Sequence, residues 1–197
     1  MDESKANTPI SAYIESLSKA GAGVVAYLRE GSSAPGETFE TKVKGLMLPD
    51  EVKWLWRTFD GMNSEDTTLD QLWLEGCFYF FSEAEALDDF MITQRLWEED
   101  EAFKDYWPQG FFPIATPGDG SRMLVDCSPQ SETFGAVFEL LHGVGVSALA
   151  PSLFDYFTLA RKWLEENAIW IDEDGNVDRD FDRSDDIQQQ MFPDAMY

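Results

Sequence analysis

Two apolar runs, Phe111-Phe112-Pro113-Ile114-Ala115 and Arg122-Met123-Leu124-Val125-Asp126-Cys127, flank the segment Pro117-Gly118-Asp119-Gly120-Ser121. Its glycines permit the positive φ angles of a tight turn, so the two runs are expected to pair antiparallel. A third run, over 134–141, follows after a short connection and extends the pair into a meander.

Elsewhere the periodicity is helical. Ile10, Ile14 and Leu17 predict an amphipathic helix over 9–20, closed by Gly21 and Gly23. Val24 to Leu28 reads either as a strand or as a short helix, and 31–36 as a loop. Val52, Leu55, Trp56 and Phe59 form one stripe on a helix entered through Pro49 and ended by Gly61. The aromatic run 74–81 reads as a strand. Ser82 and Glu85 have the spacing of a capping box for a helix over 83–105, with Leu87, Phe90, Met91 and Trp97 on its apolar side. Ser152 and Asp155 repeat that pattern before a helix with Phe154, Phe157, Ala160 and Leu164 as its stripe. A last strand over 168–171 leads into an acidic turn. Residues 180–197 read as a polar tail, either mobile or docked through Met191, Phe192 and Tyr197.

A chain of 197 residues can bury a real core, and seven Trp with fifteen Phe require one. Thirty-eight acidic against fourteen basic residues give a net charge of −24. That balance disfavours direct binding to nucleic acid or anionic lipid and favours a basic partner, unless it serves solubility alone. Met1-Asp2-Glu3-Ser4-Lys5 carries no apolar leader, and no stretch approaches the roughly 20 apolar residues of a membrane helix, so a cytoplasmic protein is expected. Cys77 and Cys127 read as reduced core thiols, with a single bridge between them left open.

Little in the chain suggests catalysis. His142 is the single histidine and ends an apolar run, which suits a strand-end or core residue better than a general base. A zinc site lacks ligands, and no nucleotide-binding glycine motif occurs, so no cofactor or metal is indicated. Asp172, Asp174 and Asp178 resemble a calcium loop only superficially: the glycine stands at the fourth position and Arg183 at the twelfth. Between Glu83 and Asp105 stand nine acids and two bases, including Glu98-Glu99-Asp100-Glu101. These acids are either an ordinary solvated helix face or an electrostatic patch for a basic partner.

Leu48-Pro49 before a helix ending at Asp60-Gly61, then Phe112-Pro113-Ile114-Ala115, a glycine turn containing Gly118-Asp119, Leu124-Val125-Asp126, and Ala150-Pro151-Ser152-Leu153-Phe154 resemble, in that order, the SUKH superfamily. The resemblance implies an α+β fold, a single domain with a mixed or mainly antiparallel sheet flanked by helices. It divides the chain into an N-terminal helix and connection (1–44), a SUKH-like core (45–179) and a C-terminal tail (180–197). It also implies no fixed catalytic residues. Many members of that superfamily are immunity proteins that neutralise a toxin; others resemble a fungal regulator of cell-wall assembly. The expected partner is therefore a cognate toxin, basic in charge and suited to a −24 chain. Glu98, Glu99, Asp100, Glu101, Asp105 and Trp107 are the expected contact residues, with Trp107 open to a core role instead. A regulatory scaffold and a carboxylate-based enzyme are the two alternatives.

Overall fold

The computed structural model describes residues 8–193. The expectations placed on the first five residues and on the docking of Tyr197 lie outside the described residues. The chain opens with α1 (Pro9–Ala20), capped by Thr8 and closed by Gly21 in the left-handed conformation. The ambiguous segment after it is a 3-10 turn over Gly23–Tyr27. Two further helices follow, α2 (Glu37–Lys42) and α3 (Asp50–Thr58). All four residues of the expected α3 stripe, Val52, Leu55, Trp56 and Phe59, are buried.

The fold is α+β. Strands β1 (Tyr79–Phe80), β2 (Phe111–Thr116), β3 (Arg122–Asp126), β4 (Val137–Leu141) and β5 (Gly145–Ala150) lie side by side in chain order, every pair antiparallel. The 111–126 hairpin is its centre. Pro113 has no N–H to give a ladder, and it sits where the β2 register slips against β3. Between β1 and β2 run α4 (Glu83–Glu99) and α5 (Glu101–Tyr106). After β5 come α6 (Leu153–Glu165), a separate hairpin of β6 (Ile169–Ile171) with β7 (Val177–Arg179), and α7 (Phe181–Met191). Among the described residues no helix is long and apolar enough to cross a membrane.

Side chains alternate across a sheet, and here the two faces feed two cores. Met123, Val125 and Val137 join the main core with α1, α3 and α6, whereas Leu124, Phe138 and Leu140 join a smaller one with Trp107. Phe103 and Tyr106 of α5, with Trp97 of α4, close that second core.

Several elements depart from the expectations. The aromatic run 74–81 contributes only two paired residues, because the chain curls at Gly76: the Leu74 N–H meets the Phe78 carbonyl, and a Cβ on Gly76 would lie 2.7 Å from that of Arg179. The single helix expected over 83–105 breaks at Asp100, whose backbone is extended. Stacking acids at a helix C-terminus opposes the macrodipole, and the last turn of α4 holds no base to offset them. Met91, expected on the apolar side, is instead 51% exposed. The third strand begins at Val137 rather than 134, since 131–136 form a turn held by Asp126: its carboxylate accepts from the Ser128 N–H (2.8 Å) and the Thr133 hydroxyl (2.7 Å). β5 had no strand-like signal, being built of small residues. The 172–176 turn is held by Asp172, whose carboxylate accepts from the N–H groups of Asp174 and Asn176 and from the Asn176 amide. Residues 181–191 are helical, Ile187 is buried, and Met191 and Phe192 pack against the main core.

Carboxylates from one element start helices in another. Glu83, 8% exposed, accepts from the N–H groups of Gly36 (2.9 Å) and Phe39 (3.0 Å) at the start of α2. Its own N–H donates to Asp60 at 2.9 Å, after the end of α3. Gly61 follows, with φ of 75° and room for no Cβ, because Ser82 N would lie 2.5 Å away. Glu51 accepts from the Phe154 N–H, in the first turn of α6, at 2.8 Å. Removing the Glu83 carboxylate strands two buried donors. Glu83→Ala is therefore expected to lower the unfolding free energy by about 2–4 kcal/mol. Glu98→Ala on the open surface should cost less than about 0.5 kcal/mol. Urea denaturation of both variants checks this, and equal costs would remove the structural role assigned to Glu83.

Candidate functional site

The outer face of α4 runs into the acidic break. Residues 91, 92, 95, 96 and 99 recur at i, i+1, i+4, i+5 and i+8, so they share one side of the helix. On that side Met91 and Ile92 are each 51% exposed and Leu96 41%. Exposed large apolar side chains in one place are less ordinary than the same residues scattered. Glu98, Glu99, Asp100 and Glu101 are all exposed at its C-terminal end. Lys104 bonds Glu101 at 2.6 Å and lies over the Trp97 ring at 5.1 Å, and Arg95 is the other base nearby in sequence. Asp105 falls within α5, its side chain outside the described set. Trp107 is 3% exposed and stacks on Phe103 beneath this surface. It belongs to the second core rather than to the exposed face, because α5 turns it onto the sheet.

Three residues of the surface were not singled out as contacts in the sequence: Met91, Ile92 and Leu96. Their signal was present, since three large apolar residues too widely spread for one narrow stripe imply that some must face outward.

A groove of about 650 Å³ lies where α7 and β7 flank β4 and β5. Glu139 and Ser147, register partners across β4 and β5, line it together with Phe181, Phe192 and Leu149. Arg179 reaches it from β7 but is engaged elsewhere. Its Nε donates to the Ser184 hydroxyl at 2.8 Å, its Nη1 lies 3.5 Å from Glu75, and its guanidinium covers Trp163 at 4.0 Å. That pair is deeply buried, at 6% and 0% side-chain exposure. Burial pushes the Glu75 carboxyl above its ordinary range, more than Arg179 holds it down. Burial also pushes the Glu139 carboxyl up to about 7, with Glu75, Asp185 and Asp119 adding to the shift and Arg179 opposing it.

The other reactive groups are quiet. Both cysteines are free, and burial pushes both thiols up. His142 stands exposed in the β4–β5 turn, its backbone N–H donating to the Ser121 hydroxyl. Among the described residues no cluster of side chains is arranged to hold a metal ion.

Comparison with known families matches residues 37–159 to the SMI1 / KNR4 family (SUKH-1). No curated protein matches the chain. The family match spans α2 through most of α6 and includes the α4–α5 surface; β7 and α7, which wall the groove, lie beyond it.

Glu139 has a measurable consequence for stability. Its folded-state pKa lies above the unfolded value of 4.5, so between that value and about 7 the folded chain binds more protons than the unfolded one. Stability then falls as pH rises through this window and levels off above it. Glu139→Gln cannot ionise and escapes the loss. It is expected to be more stable than the parent by about 1–3 kcal/mol at pH 8, with the difference gone near pH 4.5. Thermal or urea unfolding at both pH values checks this; a difference independent of pH would contradict the assignment.

Proposed function

The chain belongs to the SMI1 / KNR4 family (SUKH-1), and from that premise we propose that it is an immunity protein that binds a cognate toxin domain and covers its active site. SUKH domains bind partner proteins. The observation that carries the reading is the juxtaposition on α4 of an exposed apolar patch with the acidic turn 98–101, on a chain of net charge −24.

The division of labour follows from the chemistry. Acids at 98–101 attract a basic domain over distances of about a Debye length, roughly 8–10 Å in physiological salt, and so raise the rate of encounter. Met91, Ile92 and Leu96 supply the apolar contact that slows dissociation once water is excluded. A toxin that acts on a polyanion must present basic residues at its active site, so an acidic cover competes for the same groups. No covalent step is required, and the protein acts in the cytoplasm by occupancy alone.

Affinity capture from lysate of the source organism, followed by reconstitution with the purified captured domain, tests the reading. A basic toxin domain should be recovered and its activity inhibited at a one-to-one ratio. Reversing residues 98–101 to lysine should slow association at least about tenfold at low salt. Met91→Ala with Leu96→Ala should chiefly raise the dissociation rate. Inhibition untouched by either change would remove this surface from the interface. Recovery of signalling or wall-synthesis proteins alone would replace immunity by the scaffold reading.

A further inference from the structure

The groove between the β4–β5 face and α7 is a site of a different character. At about 650 Å³ it falls within the range of pockets that hold small molecules, roughly 300–1,000 Å³. Phe181, Phe192, Val146 and Leu149 give it apolar walls. Among the described residues no hydrogen bond or ion pair meets the Glu139 carboxyl on its floor. The base that lines the groove is engaged elsewhere, because Arg179 is held by Glu75, Asp185, Ser184 and the Trp163 ring. A partly buried charge left without a partner is unfavourable, and a ligand that brings the opposite charge relieves that cost.

We infer that this groove binds a small organic cation, an ammonium or guanidinium on an apolar body, with the charged head at Glu139 and the body against Phe181 and Phe192. Asp185, at the rim on the same side, lies 3.8 Å from the Arg179 guanidinium and adds a second acid there. A carboxylate ligand would meet Glu139 and Asp185 with no free base to receive it. A neutral apolar ligand would leave Glu139 unpaired. The site owes nothing to the α4 surface, and six of its fourteen lining residues come from segments after the family match.

The groups facing Glu139 set the pH dependence: Arg179 from β7, Glu75 from the turn before β1, Asp185 from α7 and Asp119 from the β2–β3 turn. With its proton lost only around pH 7, Glu139 offers a full charge at pH 8 and little at pH 6. A cationic ligand should therefore bind more tightly at pH 8.

The full chain, labelled with 15N, is titrated by NMR with benzylamine, which stays cationic at both pH values, and with benzyl alcohol as its neutral counterpart. Saturable shifts are expected at Glu139, Ser147 and Gln188, with benzylamine at least tenfold tighter than the alcohol and tighter at pH 8 than at pH 6. Glu139→Gln, which the groove should tolerate with the fold retained, is expected to abolish the tenfold preference. Equal binding of the alcohol, an unchanged preference in Glu139→Gln, or shifts confined to residues 98–101 would each overturn the assignment.

Discussion

Glu83 joins the starts and ends of three helices through one buried side chain and its own backbone. Its carboxylate satisfies two N–H groups at the start of α2, and its N–H is satisfied by Asp60 beyond the end of α3, while Glu83 itself is the first residue of α4. Helix starts leave orphan donors and a positive field, so an acid is the natural group to bury there. The arrangement works only if the chain between Asp60 and Ser82 can return within van der Waals distance of itself, which Gly61 allows and a side chain would not. Glu51 at α6, Asp126 beneath the 131–136 turn and Asp172 in the last hairpin repeat the device. Part of the chain's acidity is therefore internal architecture, and net charge alone overstates what is available to a partner.

What remains for the surface is concentrated where the fold is thinnest. The second core is small, and α5 with the end of α4 is its cover. Phe103 and Trp107 stack at 6.2 Å with their planes only 12° apart, and Trp97 takes the Lys104 ammonium over its ring. These contacts fix the break at Asp100, and with it the position of the exposed acids on either side. The acidic turn is held from beneath by this aromatic packing and by the Lys104–Glu101 ion pair. Its charges remain directed outward, at less entropic cost on association than a mobile loop would incur.

Local signals were legible wherever the residues that decide the structure lie close in sequence. The Ser82–Glu85 box, the Ser152 cap, the Val52–Phe59 stripe and the 111–126 hairpin all depend on contacts within a few residues, and all appear. The 74–81 run misled because its alternative is decided by Gly76 packing against Arg179, more than a hundred positions away. β5 carried too few large side chains to announce itself, although it completes the sheet. Polar composition concealed α7, whose attachment rests on Ile187 and on Gln188, which donates to the carbonyls of Ala148 and Leu149. For the candidate sites the pattern is the same. The acids 98–101 could be read directly, but the groove could not, since Glu139, Arg179 and Asp185 share no sequence neighbourhood.

Stable folds bury apolar surface and pair their charges, so departures from both rules are informative. This chain departs in two places. On α4 it leaves Met91, Ile92 and Leu96 in water beside a run of exposed acids; in the groove it leaves one carboxyl facing apolar walls. Neither is forced by topology. Glu83 shows that the same sequence can partner a buried acid when the fold requires one, and Arg179 lines the same groove as Glu139. Instead the guanidinium is directed to Glu75, which lies deeper and would be costlier to leave alone. Given one base and two acids, the structure neutralises the acid that water cannot reach and leaves the one that a ligand can.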